Sequence, residues 1–431
     1  MHTSTDRAGK NGAGDGRNMR RRLPHGGGAG AAWRDPLCHW SRCGPWADSR
    51  AATPGPAGRV SSLVEEVGWT VFALPGLLAR RWALVAGLRR RPAVPLSLVA
   101  FALTWLAWMP PAARAQGLSP ERLAVDRFIE SQMDRHRIPG VALVVVEDGR
   151  VTYATGYGTA GGGRPMTAGT PMSIGSITKS FTAVAILQLV EEGRIDLDAP
   201  VRTYLPWFRV ADDAASDSIT VRHLLQHRSG LSEFGYNRVH PPDTTLEQGV
   251  RDLRDARLTA PVGTTYQYFS PNYQALALII ETVTGQTYGA YVAEHIFAPL
   301  RMTRSYASQV EAQAAGMAQG HSKLFGYPLA RDHPFRQYVL GAGYLVSTAR
   351  DLSHLLVALG NDGVFEGVRI LAPASVALMR LPVDEQGDTT TGLAWGSRRY
   401  HGATWEGASG ADETFMSQML LAPRMAAGTS G

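Results

Sequence analysis

The stretch from Ser176 to Glu191, Ser-Ile-Thr-Lys-Ser-Phe-Thr-Ala-Val-Ala-Ile-Leu-Gln-Leu-Val-Glu, decides how this chain folds. After its first turn it is nearly apolar on every side, and a helix without a polar face belongs inside a fold rather than on its surface. The first turn carries the chemistry, because Ser176 and Lys179 stand three residues apart and so share one face. A serine hydroxyl is a weak nucleophile until a neighbour takes its proton, which a lysine amine does when burial and nearby positive charge lower its pKa. Arginine stays protonated and cannot do this. The chain uses 40 Arg and only 3 Lys, at Lys10, Lys179 and Lys323, so a lysine here is a rare choice. The blander alternative makes Ser176 an ordinary N-cap and Lys179 a solvated first-turn residue, although a lysine there faces the positive end of the helix dipole.

Upstream, Ser119 followed by Pro120 and Glu121 signals a helix start, with Leu123, Phe128, Ile129 and Met133 at helical spacing until Pro139-Gly140. Residues 141–146 and 151–157 read as strands joined by Glu147-Asp148-Gly149, a β-hairpin, and a Gly-rich loop follows to Pro165. Downstream, helical patterns dominate over 220–227, 246–257, 272–284 and 287–298. A helix at 350–360 and short β-like runs at 393–400 and 415–421 come next. A helical segment therefore sits between two mixed ones.

A length of 431 residues allows one large or two interlocked domains, and 44% apolar with 19% charged residues excludes a disordered, collagen-like or disulfide-scaffold protein. The net charge of +6 hides a division: residues 1–115 hold 16 Lys+Arg against 6 Asp+Glu, and residues 116–431 hold 27 against 31. Nothing basic remains on the body to attract nucleic acid. Cys38 and Cys43 both lie in the first part, so the body has no cysteine catalysis, disulfide or thiolate metal site. Residues 1–88 read as a disordered extension or an over-extended gene start. Over 89–115, Arg89-Arg90-Arg91, the apolar run 93–109 and Ala113-Arg114-Ala115 before Gln116 resemble a secretory signal peptide. In the alternative reading residues 93–109 stay in place as a membrane anchor, at the lower limit of length for one. Either reading puts the body, residues 116–431, in the periplasm or outside the cell.

The run from Pro171 through Ser176 and Lys179 to Ala183 resembles the first motif of the serine β-lactamase and penicillin-binding-protein superfamily, in its class C and esterase-like branch. Further segments are similar in the same order: Gly193 to Asp198 with Tyr204-Leu205-Pro206, Ile219 to Leu231, Thr282 to Gly285, and Gly343 to Asp351. The likeness extends over about 119–423. It implies an α/β sandwich in which an antiparallel sheet, built from both ends of the chain, is flanked by helices, with a helical region inserted and the site at the junction.

The resemblance also implies roles. In the second motif, after Pro261-Val262-Gly263, Tyr268 takes the tyrosine position of acid–base catalysis. Packing within the cluster Tyr266, Tyr268, Phe269 and Tyr273 is the alternative. Its third position holds Ser270 instead of Asn, and Asn272 is read as a structural helix-start residue. The third motif, on an edge strand, falls on Ala408-Ser409-Gly410, with alanine in place of the cation. A second register gives Trp405-Glu406-Gly407, and His401 lies too early. Ser270, Ser409 and Gly410 are thus the substrate-binding candidates. The expected chemistry is two-step acyl transfer by Ser176, Lys179 and Tyr268, needing no metal or cofactor, on small esters, β-lactams or peptidoglycan-type D-amino-acid peptides, esters favoured. The rival expectation is a catalytically impaired relative that binds peptidoglycan fragments or a protein partner. Relatives continue past the position of Pro423 into another strand and helix, so the body is expected to be truncated at Gly431.

Overall fold

The computed structural model describes residues 71–73 and 119–422, apart from 239, 387–388 and 401–402. The expected targeting pattern at 89–115, His401 and the C-terminal residues 423–431 lie outside the described residues. A nine-stranded sheet organises the rest. In chain order its strands are β1 (Val71–Ala73), β2 (Gly140–Glu147), β3 (Arg150–Gly161), β4 (Arg164–Pro165), β5 (Asp384–Gln386), β6 (Thr389–Thr391), β7 (Gly396–Tyr400), β8 (Ala403–Ala411) and β9 (Met416–Leu421). In space they run β5-β6-β7-β8-β9-β1-β2-β3-β4, so strands from both ends of the body share one sheet.

Helix α1 (Pro120–His136) starts where Ser119 accepts the Arg122 N–H and ends at Arg137 in the left-handed region. The β2–β3 hairpin then turns through Asp148 at φ 51° and Gly149 at φ 73°, the two positive values that a tight right-twisting turn requires. Along β2 the side chains alternate between two cores. Val141 and Leu143 pack with Ile129 of α1 and with Trp405. Ala142, Val144 and Val146 face the main core, which α2 (Thr178–Glu191), α3 (Pro271–Thr284) and α4 (Ala349–Gly360) fill from the other side. Period-two patterning thus puts α1 on one face and the remaining helices on the other.

The expected α/β sandwich is the observed architecture, with four differences of detail. Val71–Ala73 lies in the extension read as disordered and yet forms β1, which pairs parallel with both β9 and β2. The sheet is therefore not wholly antiparallel; β1 is joined to neither neighbour by a short turn, which leaves its direction free, unlike a hairpin. The strand carrying Ala408-Ser409-Gly410 is interior, since β8 pairs with β7 as well as β9. The stretches expected to be helical over 220–227, 246–257 and 287–298 are not α-helical throughout: Val221–Leu225 stops short, Leu246–Arg251 continues as the 3-10 helix Asp252–Asp255, and Tyr288–Val292 continues as the π-helix Ala293–Phe297. The first stops because His227 takes φ 53°, which no α-helix accommodates.

Helix α2 is the centre of the molecule. Phe181, Val184, Ile186, Leu187 and Leu189 are fully buried, and Phe181 meets Phe297 edge-on at 5.6 Å between ring centroids. Its buried hydroxyls have partners: Thr178 Oγ1 accepts the Leu345 N–H at 3.2 Å, and Thr182 Oγ1 donates to the Gly341 carbonyl at 2.6 Å. These bonds fasten residues 341–345 alongside the first turns of α2.

Candidate active site

Ser176 is the middle residue of a 3-10 turn, Gly175–Ile177, on which α2 is built. It is not the cap of α2, a position held by Ile177 without any side-chain bond. Nor is Lys179 solvated. It is 3% exposed, and its Nζ donates to Ser176 Oγ at 3.0 Å and to the Ala342 carbonyl at 2.6 Å. Ala342 reaches it because the turn Leu340–Gly343 lies close on α3: a Cβ on Gly341 would stand 2.4 Å from Ala277 Cβ.

Tyr268 completes the group, with its hydroxyl 2.7 Å from Ser176 Oγ and its ring centroid 4.9 Å from Lys179 Nζ. The aromatic cluster divides in its roles. Phe269 and Tyr273 are fully buried packing, whereas Tyr268 is 39% exposed and faces the serine. Ser270 occupies the N-cap position of α3, but its side chain makes no cap bond there. Asn272, in the first turn of α3, is buried and accepts from Ser229 Oγ at 2.9 Å, which fits the structural place expected for it.

The two third-motif registers are resolved by what they touch. Trp405 sits in the α1 core and Glu406 pairs with Arg380 at 3.1 Å, away from the serine. Gly410, by contrast, lies directly on the serine turn: a Cβ there would meet Ile174 O at 2.0 Å and Ser176 N at 2.9 Å. Ser417 Oγ on β9 also donates to Ile174 O at 2.7 Å. Ser409 is exposed beside this contact, and Ala408 is half-buried against the main core. Past the end of β8, Arg336 donates to Glu413 at 2.9 Å and to the Tyr344 hydroxyl at 2.8 Å, so this cation is already paired.

One residue of the site escaped the sequence reading. His227 is buried beside Tyr268, with ring centroids 4.6 Å apart. Burial first, and the neighbouring Lys179 ammonium second, hold its imidazole well below the usual value, so it is neutral at pH 7. It belongs to the matched segment Ile219 to Leu231, but no spacing in the sequence sets it beside Tyr268. Among the described residues no three His, Cys, Asp or Glu side chains come together as a metal site would need.

The assembled groups suit acyl transfer. A serine hydroxyl lies within hydrogen-bond distance of a lysine nitrogen and a tyrosine hydroxyl, a backbone N–H at a helix start lies beside it, and a β-strand passes close over the turn. Comparison with known proteins agrees with this geometry. The family model described as Beta-lactamase matches residues 125–425. Penicillin-binding protein 4 of Amycolatopsis lactamdurans is 32% identical over 302 residues, which cover 66% of this chain and 76% of that protein. Protein flp of Staphylococcus aureus strain MW2 is 29% identical over 234 residues, 53% of this chain and 47% of flp. The chain thus spans about half the length of that relative. Among solved structures, the octameric penicillin-binding protein homologue from Pyrococcus abyssi is similar with a TM-score of 0.59 and 29% identity, covering 66% of this chain and 67% of that one.

Proposed function

The chain belongs to the Beta-lactamase family, and from that premise we propose that it is a serine hydrolase that works through an acyl-enzyme on Ser176. The observation that carries this reading is the placing of Ser176 Oγ between Lys179 Nζ at 3.0 Å and the Tyr268 hydroxyl at 2.7 Å. Once the Lys179–Tyr268 pair has given up one proton, leaving either a lysine amine or a tyrosine phenolate, Ser176 Oγ attacks the substrate carbonyl and its proton passes to that group. The Ser176 N–H, beside Gly410 of β8, stabilises the oxyanion, and the pair then protonates the leaving group. Water repeats the sequence on the acyl-enzyme and frees the acid. On this reading Ser409 and Gly410 of β8 line the substrate's path, and Ser270 takes part from the start of α3, two residues after Tyr268.

Substrate preference follows from what these positions lack. Ala408 brings no cation to the serine, and Arg336 is neutralised by Glu413. Ser270 has no amide with which to grip a substrate amide. A carboxylate or amide left unpaired on binding costs about 1–3 kcal/mol, a cost that a short neutral ester avoids. Esters are therefore the favoured class, ahead of β-lactams and D-amino-acid peptides. The body acts outside the cytoplasm, a placement supported by the Arg89 to Ala115 pattern; among the described residues no helix is long and apolar enough to cross a membrane.

The test compares a p-nitrophenyl butyrate ester, a chromogenic cephalosporin and a D-Ala-D-Ala peptide on one preparation, with Ser176→Ala as the blank. The ester is expected to show the highest kcat/KM. Faster cephalosporin turnover would overturn the ester preference. No turnover of any of the three would leave a catalytically impaired relative that binds peptidoglycan fragments or a protein partner.

A further inference from the structure

We propose that His227 is the positioning residue that sets Tyr268 against Ser176, by holding the backbone on both sides of the tyrosine. The inference rests on the acyl-enzyme reading of the same site. Two hydrogen bonds carry it. The Gln267 N–H donates to the His227 carbonyl at 2.8 Å, and the Phe269 N–H donates to His227 Nδ1 at 3.1 Å. These donors are the residues immediately before and after Tyr268, so one histidine grips the chain at both neighbours of the phenol. Its ring supports the same segment from behind, 4.6 Å from Tyr268 and 5.1 Å from Tyr273 between centroids.

The backbone of His227 is held in the left-handed region at φ 53°, uncommon outside glycine, with asparagine, aspartate and histidine the residues that enter it most readily. That conformation ends the helix Val221–Leu225 and turns the carbonyl and the ring of one residue toward one tripeptide. Asn272 Nδ2 lies 3.5 Å from the same Nδ1 and is itself tied to Ser229, so the acceptor side of the ring is enclosed. The residue type follows from its surroundings. The titratable groups around it are Lys179, Tyr266, Tyr268 and Tyr273. A carboxylate in its place would compete with Ser176 for the Lys179 ammonium, and a lysine or arginine has no acceptor for the Phe269 N–H. A neutral imidazole with Nδ1 free to accept meets both demands.

The experiment measures labelling of Ser176 by a fluorophosphonate probe, separated into kinact and KI, together with thermal unfolding, for the wild type, His227→Leu and His227→Asn. Asparagine keeps an acceptor near the Nδ1 position and tolerates a left-handed φ; leucine keeps bulk alone. Misplacing a reacting group by about 1 Å costs on the order of 100-fold. His227→Leu is therefore expected to lower kinact by about tenfold to 100-fold with KI little changed, and His227→Asn to recover most of the rate. Leucine labelling at the wild-type rate, or asparagine falling as far as leucine, would overturn the proposal. A second measurement covers a leucine variant that fails to fold. In the wild type at pH 7.5, the histidine nitrogen signals that His227→Asn removes should come from a ring protonated on Nε2 and bare on Nδ1. A ring protonated on Nδ1 would overturn the clamp whatever the variants do. A wild type that takes no label at all would instead defeat the acyl-enzyme reading.

Discussion

At position 179 a buried side chain has two oxygen acceptors, Ser176 Oγ and the Ala342 carbonyl, and the second bond aims the amine at the first. This separates charge from proton transfer. An arginine would keep the charge and lose the ability to accept a proton, and its planar head would not fit a pocket filled by a single ammonium. Lys179→Arg is therefore expected to lower kcat/KM on the test ester by about 10²–10⁴, as far as Lys179→Ala. Measured on the same preparation, an arginine variant within tenfold of wild type would show that only positive charge matters. The two residues of this pair were legible in the sequence because lysine is so scarce in the chain and stands three residues from a serine. Tyr268 was legible only through the order of motifs in a known family. His227 was not legible at all, since its contacts are to backbone N–H groups some 40 residues away, and a backbone donor leaves no mark on composition or spacing.

At the scale of elements, the site depends on a strand lying on a turn. Strand β8 approaches the 3-10 turn so closely at Gly410 that a methyl group would overlap Ile174 O at 2.0 Å and press on Ser176 N at 2.9 Å. Both are backbone atoms that cannot rotate away. Gly410→Ala must push β8 off the turn, and the oxyanion donor and the nucleophile move together when it does. The variant is expected to lose about 100-fold in kcat/KM while its unfolding midpoint falls by only a few degrees. Stopped-assay kinetics beside calorimetry would check this, and an alanine variant with wild-type kcat/KM would show that the contact is not needed. Elements were legible in proportion to their local signals. Helix α1 carries its own cap and Pro, and the β2–β3 hairpin its Asp-Gly turn, so both were placed to within a few residues. Helix ends such as that at Leu225 were missed because a tertiary grip on His227, not a breaker residue, stops the helix. The strand β1 was missed because three residues of Val-Phe-Ala take their strand character from the neighbours β9 and β2 that flank them.

For the whole molecule, one sheet built from both ends of the body buries β2 on two faces and packs α2 into the main core, so Ser176 stands at the start of a fully packed helix. The same burial makes stability depend on pH. His223, His227, His240 and His333 are each held below the ordinary imidazole value with burial as the leading cause. The unfolded chain protonates these histidines near pH 6.5 while the folded one does not, so below that pH the unfolded state binds more protons and stability falls. The unfolding midpoint should be highest above about pH 7 and drop steadily from pH 6.5 to 5.5 at constant ionic strength; a midpoint that is flat or rises over that interval would contradict the burial of neutral imidazoles. The central claim, that the core helix presents an activated serine, is tested most directly by intact mass spectrometry after treatment with a fluorophosphonate, followed by peptide mapping. One adduct is expected, on the peptide that contains Ser176, and none on Ser176→Ala. An adduct on any other residue, or one that persists in the alanine variant, would contradict it.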